Sequence, residues 1–263
     1  GDARPQRGDG WAASRRDHSE GLLLGYDFSF GNGWTVGAAG GRQSLRQNLR
    51  DRGSRSEVDA LHSGLYMAYR HDALWLRGGV SYADYQIETE RSLGAGQPWE
   101  QTLEARYKAH AVSTFSEAGF DLELPSLTLT PYMGLAHTAL STQEATETTG
   151  SAALTLLPTR HEVWTATAGV RAAWEVKDGA RVEGGLAWQN SSGGRRVGTT
   201  QMFATGSDLF TVHATPLASN VVLAEVGVVL QPTDNSRVNL FVQGHRGEGE
   251  RGFAAQASWN VMF

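Results

Sequence analysis

The chain has 263 residues, no cysteine and a formal net charge of -5. This length suits one large all-β domain or two ordinary domains, and the lack of cysteine excludes disulfides, thiolate metal sites and a cysteine nucleophile. The mild acidity offers no basic domain to neutralise phosphates, so nucleic acid is not an expected partner. No run of about 18 apolar residues is present, which argues against a transmembrane helix.

Alternation with a period of two residues dominates the chain and predicts β-strands. From Val163 to Val176, one parity is entirely apolar and the other is mostly small or polar. Trp164 and Trp174 share the apolar parity, and their spacing spans roughly 25 Å along a membrane normal in a strand tilted near 40°. That height matches an outer-membrane hydrocarbon band with an aromatic residue at each interface. The predicted aromatic girdle comprises Trp34, Tyr82, Trp164, Trp174, Trp188 and Trp259.

Twelve strands are expected, and their connections alternate in length. The strands cover residues 9–16, 19–30, 33–47, 55–71, 73–86, 107–124, 127–141, 160–176, 179–190, 218–231, 236–247 and 250–263. Turn-forming residues make tight connections on one rim. The other rim carries long loops at 48–54, 87–106, 142–159 and 191–217, and short links at 17–18 and 248–249. This arrangement predicts an all-β, 12-stranded, antiparallel, up-and-down transmembrane β-barrel of the outer membrane, with residues 1–8 as a residual linker and residues 9–263 as the barrel.

Charged side chains fall on the parity opposite to the apolar one, which faces the lumen in a membrane barrel. Mixed charges separated by glycine, serine and threonine fit a wet pore or a pore that holds a peptide segment. Packing of the lumen wall, with no transport role, is the alternative. No catalytic role is assigned to these carboxylates. The lumen-lining candidates are Arg77, Glu117, Asp121, Glu123, Arg171, Glu175, Glu183 and Glu225.

The last predicted strand alternates throughout and ends on an aromatic residue. It resembles the last strand of bacterial outer-membrane proteins, which ends in phenylalanine and is read by the barrel-assembly machinery. The residues on its apolar parity that carry this expected assembly signal are Phe253, Trp259, Val261 and Phe263.

The whole chain resembles the translocator β-domain of type Va autotransporters of Gram-negative bacteria. The second hairpin of that family is similar to "GLLLGYDFSFGNGWTVGAAGGRQS", and the next hairpin to "HSGLYMAYRHDALWLRGGVSY". The middle strands are similar to "FSEAGFDLELPSLTLTPYMGLAHT" and "WTATAGVRAAWEV", and the closing hairpin to "VNLFVQGHRGEGERGFAAQASWNVMF". The order and spacing of these glycine and aromatic patches carry the resemblance.

The resemblance implies an outer-membrane anchor and translocator that supports secretion of an N-terminal passenger domain, with no enzymatic activity and no cofactor. The implied partners are outer-membrane lipid and lipopolysaccharide, the barrel-assembly machinery and the chain's own passenger segment in the lumen. A monomer is expected. Members of the family carry a helix upstream of the first strand that plugs the lumen. The stretch Gly1–Gly10 departs from that pattern, because it contains Pro5 and has no helical period.

Two other classes compete with this interpretation. A soluble all-β binding module would bury the apolar parity in a dry core. An outer-membrane enzyme or small porin would need a catalytic cluster at the outer rim, where His137 and Ser141 lie, or a constriction formed by loop 87–106.

The sequence also contains several short motifs. Arginines around the first long loop are expected either to contact lipopolysaccharide phosphates or to form a solvated, charged loop. The tripeptide Arg7-Gly8-Asp9 and the sequon Asn190-Ser191-Ser192 are interpreted as chance matches. The scattered histidines lack metal-site spacing, so no metal is expected. The loop arginines are Arg42, Arg46, Arg50, Arg52 and Arg55.

Overall fold

A computed structural model of the chain describes residues 15–49, 54–94, 97–148, 150–177, 179–194, 196, 198–214, 216–233 and 235–261. The strands are β1 (Arg15–Ser29), β2 (Trp34–Leu49), β3 (Ser54–His71), β4 (Leu74–Leu93), β5 (Gln101–Phe120), β6 (Leu122–Leu124), β7 (Leu127–Thr142), β8 (Ala145–Thr146), β9 (Leu154–Leu156), β10 (Thr159–Lys177), β11 (Ala180–Gly193), β12 (Gly198–Phe203), β13 (Phe210–His213), β14 (Asn220–Thr233), β15 (Ser236–Gly247) and β16 (Glu250–Val261). The described part contains no helix that is long and apolar enough to cross a bilayer.

Eleven long strands form one curled sheet, a half-barrel in shape. Their order is β1-β2-β3-β4-β5-β7-β10-β11-β14-β15-β16, and the short strand β6 pairs with β7. Each long strand is antiparallel to its neighbours, so the up-and-down, all-β prediction is confirmed. Within the described ranges, β1 pairs only with β2 and β16 pairs only with β15.

The predicted link at residues 17–18 is wrong. Strand β1 runs without interruption from Arg15 to Ser29 and pairs with β2 along its whole length. Asp17 and His18 include no glycine or proline, so nothing there removes a ladder hydrogen bond or forces a turn. Most of the strand predicted at 9–16, and the linker predicted at 1–8, lie outside the described residues.

Three long loops predicted from the sequence are also more ordered than expected. In place of a loop at 87–106, β4 continues to Leu93 and β5 begins at Gln101, as one ladder. Charged residues on this extension, such as Glu88 and Arg106, face each other across strands at 3.3 Å, and the backbone ladder continues beyond the apolar alternation. It prolongs the wall and is not a constriction formed by loop 87–106.

The loops predicted at 142–159 and 191–217 contain a second antiparallel sheet with the order β13-β12-β9-β8. Leu103, which is 1% exposed, is buried where this lobe meets β5. Arg91 donates from Nε and Nη2 to the two oxygens of Glu147 at 3.1 and 2.6 Å. Glu147 also accepts from the backbone N–H of Leu154 at 2.9 Å. These contacts fix the 147–154 turn on the extension of β4 and β5.

The cross-strand register collects the apolar parity of all eleven long strands on one face. Leu65 lies opposite Ala38 and Val80, and the same parity continues to Trp259 in the last strand. Leu65 is 63% exposed, whereas Ala109, on the polar parity, is only 2% exposed. Because side chains crowd on the inside of a curve, we assign the polar parity to the concave face and the apolar parity to the convex face.

The six residues of the predicted aromatic girdle all lie on the convex face, in two groups. Trp34, Trp174 and Trp259 lie near the rim of short turns. Tyr82, Trp164 and Trp188 lie toward the rim of long loops, opposite Ser63, His137 and Val222 respectively. Their contact with lipid interfaces stays a prediction.

Candidate functional site

A group of charged side chains lies on the concave face, near the rim of short turns. Arg77 lies directly across from Glu117, and Arg171 lies two strands further along the sheet. Arg77 Nη2 and Arg171 Nη1 both donate to Glu117 Oε1, at 2.7 and 3.1 Å. We call Arg77, Glu117 and Arg171 the arginine cluster. It joins β4, β5 and β10 across residues that are 40 and 54 positions apart.

Two aromatic rings hold the guanidinium groups of the arginine cluster. Arg171 Cζ lies 3.7 Å from the ring centroid of Tyr132 and 5.9 Å from that of Trp75. Arg77 Cζ lies 5.3 Å from the Trp75 centroid. Cation–π attraction favours both positions. The rings therefore restrict the guanidinium groups before any ligand arrives.

Each of these rings lies over a glycine of a neighbouring strand. The Trp75 indole covers Gly119, where an added Cβ would overlap ring atoms. The Tyr132 ring covers Gly169, where an added Cβ would lie 2.8 Å from the ring. Glycine is required at both positions because only a residue without a side chain leaves room for a flat aromatic ring on the sheet.

A second ion pair lies beside the arginine cluster. Arg70 Nη1 donates to Asp121 Oδ2 at 2.6 Å, and the Thr130 hydroxyl donates to Asp121 Oδ1 at 2.7 Å. Asp121 leaves the ladder between β5 and β6, where its own N–H donates to the Ala73 carbonyl. Arg70 was missed by the sequence analysis, although its parity places it on the concave face.

A groove of about 160 Å³ separates the arginine cluster from the acidic residue Glu225. Arg171, Gly185 and Glu225 occupy one row across β10, β11 and β14. Because Gly185 has no side chain, the Glu225 side chain lies over it, and its Oε1 is 2.7 Å from the position of an added Cβ. Gln243 and His245 complete the far wall of the groove.

The remaining lumen-lining candidates lie on the same face without joining the arginine cluster. Glu183 forms an ion pair with Arg181, and Glu175 lies 3.8 Å from the same guanidinium. Glu123 lies opposite Thr128 near the short turns. The structure thus brings Arg77, Glu117 and Arg171 together, whereas Glu123, Glu175, Glu183 and Glu225 remain apart from them. A lumen role for these residues stays a prediction.

The outer-rim arginines lie on the convex face above the apolar band and have acidic partners. Arg46 Nε donates to Glu57 Oε1 at 2.9 Å, and this hydrogen bond raises the pKa of Arg46. Arg55 lies 3.5 Å from Glu57, and Arg42 lies 3.5 Å from Asp59. The predicted Arg50 and Arg52 lie outside the described residues. On the concave side of the extension, burial raises the pKa of the Tyr107 phenol.

The structure does not assemble His137 and Ser141 into a catalytic pair. Both lie on the convex face of β7, where His137 packs against Trp164 with ring centroids 4.3 Å apart and lies 3.8 Å from Glu162. Ser141 lies opposite His110 and Arg160 instead. In the described ranges, no group of three or more His, Asp or Glu residues is arranged to hold a metal ion.

The remaining sequence motifs do not come together in one site. Asn190 of the sequon belongs to β11 and donates to the Ser219 carbonyl at 3.3 Å. Phe253 and Trp259 of the last strand are 74% and 72% exposed on the convex face, and the backbone of Val261 pairs with Ser236. Phe263 and the Arg7-Gly8-Asp9 tripeptide lie outside the described residues.

The sequence matches the family described as "Autotransporter beta-domain" over residues 1–243. An extracellular serine protease of Serratia marcescens is 31% identical over 226 residues, an alignment that covers 84% of this chain and 21% of that protein. A second extracellular serine protease of the same organism is 30% identical over 225 residues, with the same coverage. The chain therefore spans 21% of the length of the curated relatives that it matches.

Solved structures share the fold at low sequence identity. The translocator domain of the autotransporter NalP from Neisseria meningitidis superposes with a TM-score of 0.73 at 14% identity, covering 98% of this chain and 84% of that one. The β-domain of the Bordetella autotransporter BrkA gives a TM-score of 0.64 at 17% identity, covering 95% of this chain and 93% of that one. The transport unit of AIDA-I from Escherichia coli gives 0.60 at 16% identity, with 100% and 87% covered.

Proposed function

The chain belongs to the autotransporter β-domain family and is a translocator of the bacterial outer membrane, and we propose that its concave face lines the path of the passenger. One observation carries this proposal. Across eleven neighbouring strands, apolar side chains occupy the convex face, and the arginine cluster, Asp121 and Glu225 occupy the concave face. A sheet with lipid outside and water inside requires this division.

We include closure of the barrel in the proposal. An open sheet edge in lipid leaves N–H and C=O groups without partners, at a cost of several kcal/mol each. Strands β1 and β16 each have one free side in the described ranges. The proposal keeps twelve strands in the closed barrel, with residues 9–263 as the barrel and residues 1–8 as a residual linker.

The concave face suits a passive conduit better than an enzyme. Its charges are paired or separated by glycines, and no acid, base and nucleophile converge within the described residues. The protease activity in the names of the curated relatives is stated for proteins of which this chain matches 21%. We therefore assign to the chain the roles of anchor and path, with a passenger linker as its partner and a monomer as its working form.

Two further partners belong to the proposal. We propose that the exposed Phe253 and Trp259 on the last strand form a surface for the barrel-assembly machinery, and that Val261 and Phe263 complete the assembly signal in the sequence. For lipopolysaccharide we propose contact at Arg42, which is 74% exposed on the convex rim. The other described rim arginines, Arg46 and Arg55, share Glu57 and are weaker candidates for phosphate binding.

Heat-modifiable mobility of the refolded chain tests the proposal. A closed barrel in detergent resists cold SDS, migrates faster than the unfolded chain, and shifts to full apparent mass on boiling. A chain that is folded and soluble without detergent and shows no shift would overturn the proposal, because the convex leucines would then be buried in a soluble core. Single-channel recording of the shifted species then tests whether the lumen conducts ions.

A further inference from the structure

We propose that the arginine cluster is a carboxylate-binding site for the passenger linker. This inference rests on the proposed function and adds the chemical class of the side chain that binds to the concave face. It follows from the charge balance of the cluster, the free donors of its guanidinium groups and the opposite charge across the groove.

The charge balance leaves the arginine cluster positive. Two guanidinium groups, from Arg77 and Arg171, share the single carboxylate of Glu117, and both contact the same oxygen. The side chain of Glu117 is only 16% exposed, whereas that of Arg77 is 49% exposed. The carboxylate is thus covered, and the excess positive charge faces the concave side.

The guanidinium groups retain donors for a ligand. A guanidinium carries five N–H donors. In the described part of the chain, Arg171 uses only Nη1 for a protein acceptor, and that acceptor is Glu117. The Tyr132 ring 3.7 Å from Cζ fixes the plane of the group. A planar fork with free N–H groups matches the two oxygens of a carboxylate, and this pairing is stronger than a neutral hydrogen bond.

The opposite wall gives the site a direction. The backbones of Arg171 and Glu225 lie two strands apart, roughly 10 Å at the usual strand spacing, and the Glu225 side chain extends over Gly185 between them. A bound segment therefore meets positive charge on one side and negative charge on the other. An acidic side chain of the linker fits against Arg171, and its neighbours are repelled from that wall if they are basic.

We commit to the passenger linker as the source of the carboxylate. The proposed path brings that peptide along the concave face, whereas a small free carboxylate has no other contact to hold it there. The matched control within the same face is Arg181, which already faces two carboxylates, Glu175 and Glu183. Its surroundings carry no excess positive charge.

Block of the ionic current through the refolded barrel tests the site. The probes are a ten-residue Gly/Ser peptide with one central Glu, the same peptide with Gln, and sodium acetate. The Glu peptide is expected to block with a dissociation constant about tenfold below that of the Gln peptide, because its carboxylate makes a charge-assisted bond that the Gln amide does not make. Arg171→Gln removes that preference, and Arg181→Gln preserves it. Arg171→Lys retains part of it, because the charge remains and the fork is lost.

Each other outcome has a stated meaning. Equal block by the two peptides, or a preference for Glu that survives in Arg171→Gln and Arg77→Gln, overturns the inference while the conduit stands. Competition by acetate at the same concentration as the Glu peptide assigns the site to free carboxylates and overturns the linker as ligand. Heat-shifted barrels that conduct no current overturn the proposed function itself. Arg171→Lys serves as the test variant if Arg171→Gln loses its heat shift.

Discussion

The two faces of the main sheet use the same chemistry in different surroundings. On the concave side, Arg91 binds both oxygens of Glu147, whose side chain is 8% exposed. On the convex rim, Arg46 binds Glu57, whose side chain is 30% exposed. The buried pair organises a turn through the additional bond to Leu154, whereas the rim pair ties two strands that the ladder already joins. The more strongly buried ion pair lies where the outer lobe covers the main sheet and removes water.

The largest expected difference between the faces comes from breaking these pairs. Glu147→Ala leaves the Arg91 charge largely buried and is expected to destabilise the outer lobe by about 3 kcal/mol. Hydrogen exchange at Leu154 and protease cleavage of the 147–154 turn report this loss, and the heat shift of the barrel stays. Glu57→Ala is the matched control and leaves both readouts unchanged. Equal effects of the two variants contradict the comparison.

An arginine substituted on each face distinguishes the lipid-facing surface from the water-facing surface. Leu65→Arg, in the middle of the convex face, is expected to destabilise the refolded barrel by roughly 2–4 kcal/mol. Ser81→Arg, on the concave face of the next strand, is expected to have little effect because the charge remains hydrated. Urea unfolding in lipid vesicles measures both. If Ser81→Arg were the more damaging variant, the assignment of the faces would be reversed.

Glycines give a smaller contrast. Gly119→Ala places a methyl group against the Trp75 indole and is expected to cost about 1–3 kcal/mol, as overpacking does. Gly184→Ala lies on the convex face, where the nearest atom to an added Cβ is 3.6 Å away, and serves as the control. The temperature of the heat shift falls for the first variant and holds for the second. A lower heat-shift temperature in both variants would indicate that replacing glycine is itself destabilising, whether or not an aromatic ring lies over it.

The smallest effect is expected at the rim. Arg42→Gln removes an exposed contact with Asp59 at 3.5 Å, and exposed pairs of this kind add little to stability. The unfolding midpoint therefore stays unchanged, whereas binding to lipopolysaccharide vesicles weakens at low salt. Unchanged binding in this variant removes Arg42 from the proposed lipopolysaccharide contact.

The parity of the strands was predictable because a period of two residues is a local property. Trp164 and Trp259 fell on the expected face for that reason. The arginine cluster was not predictable as a group, since Arg77, Glu117 and Arg171 meet only when three strands adopt one register. Each had been predicted to lie on the polar parity, but their shared oxygen depends on pairing that the local pattern does not encode.

The predicted ends of the strands in the outer region were wrong for a different reason. The predicted strands ended where the apolar alternation ended, but backbone ladders continue through charged pairs such as Glu88 and Arg106. The link predicted at 17–18 had the same origin, because a polar dipeptide was interpreted as a turn although β1 continues through it. Apolar alternation marks where a strand meets lipid, and it does not mark where the strand stops.

The strands of the half-barrel differ in length, which shapes its outer mouth. Strand β4 has 20 residues and β15 has 12, and eight residues correspond to roughly 26 Å along a strand. The wall therefore extends further outward at β4 and β5 than at β15 and β16. A chain leaving the barrel has a sheltered flank and an open flank, so the first fold that it makes outside grows away from the high wall, over the low one.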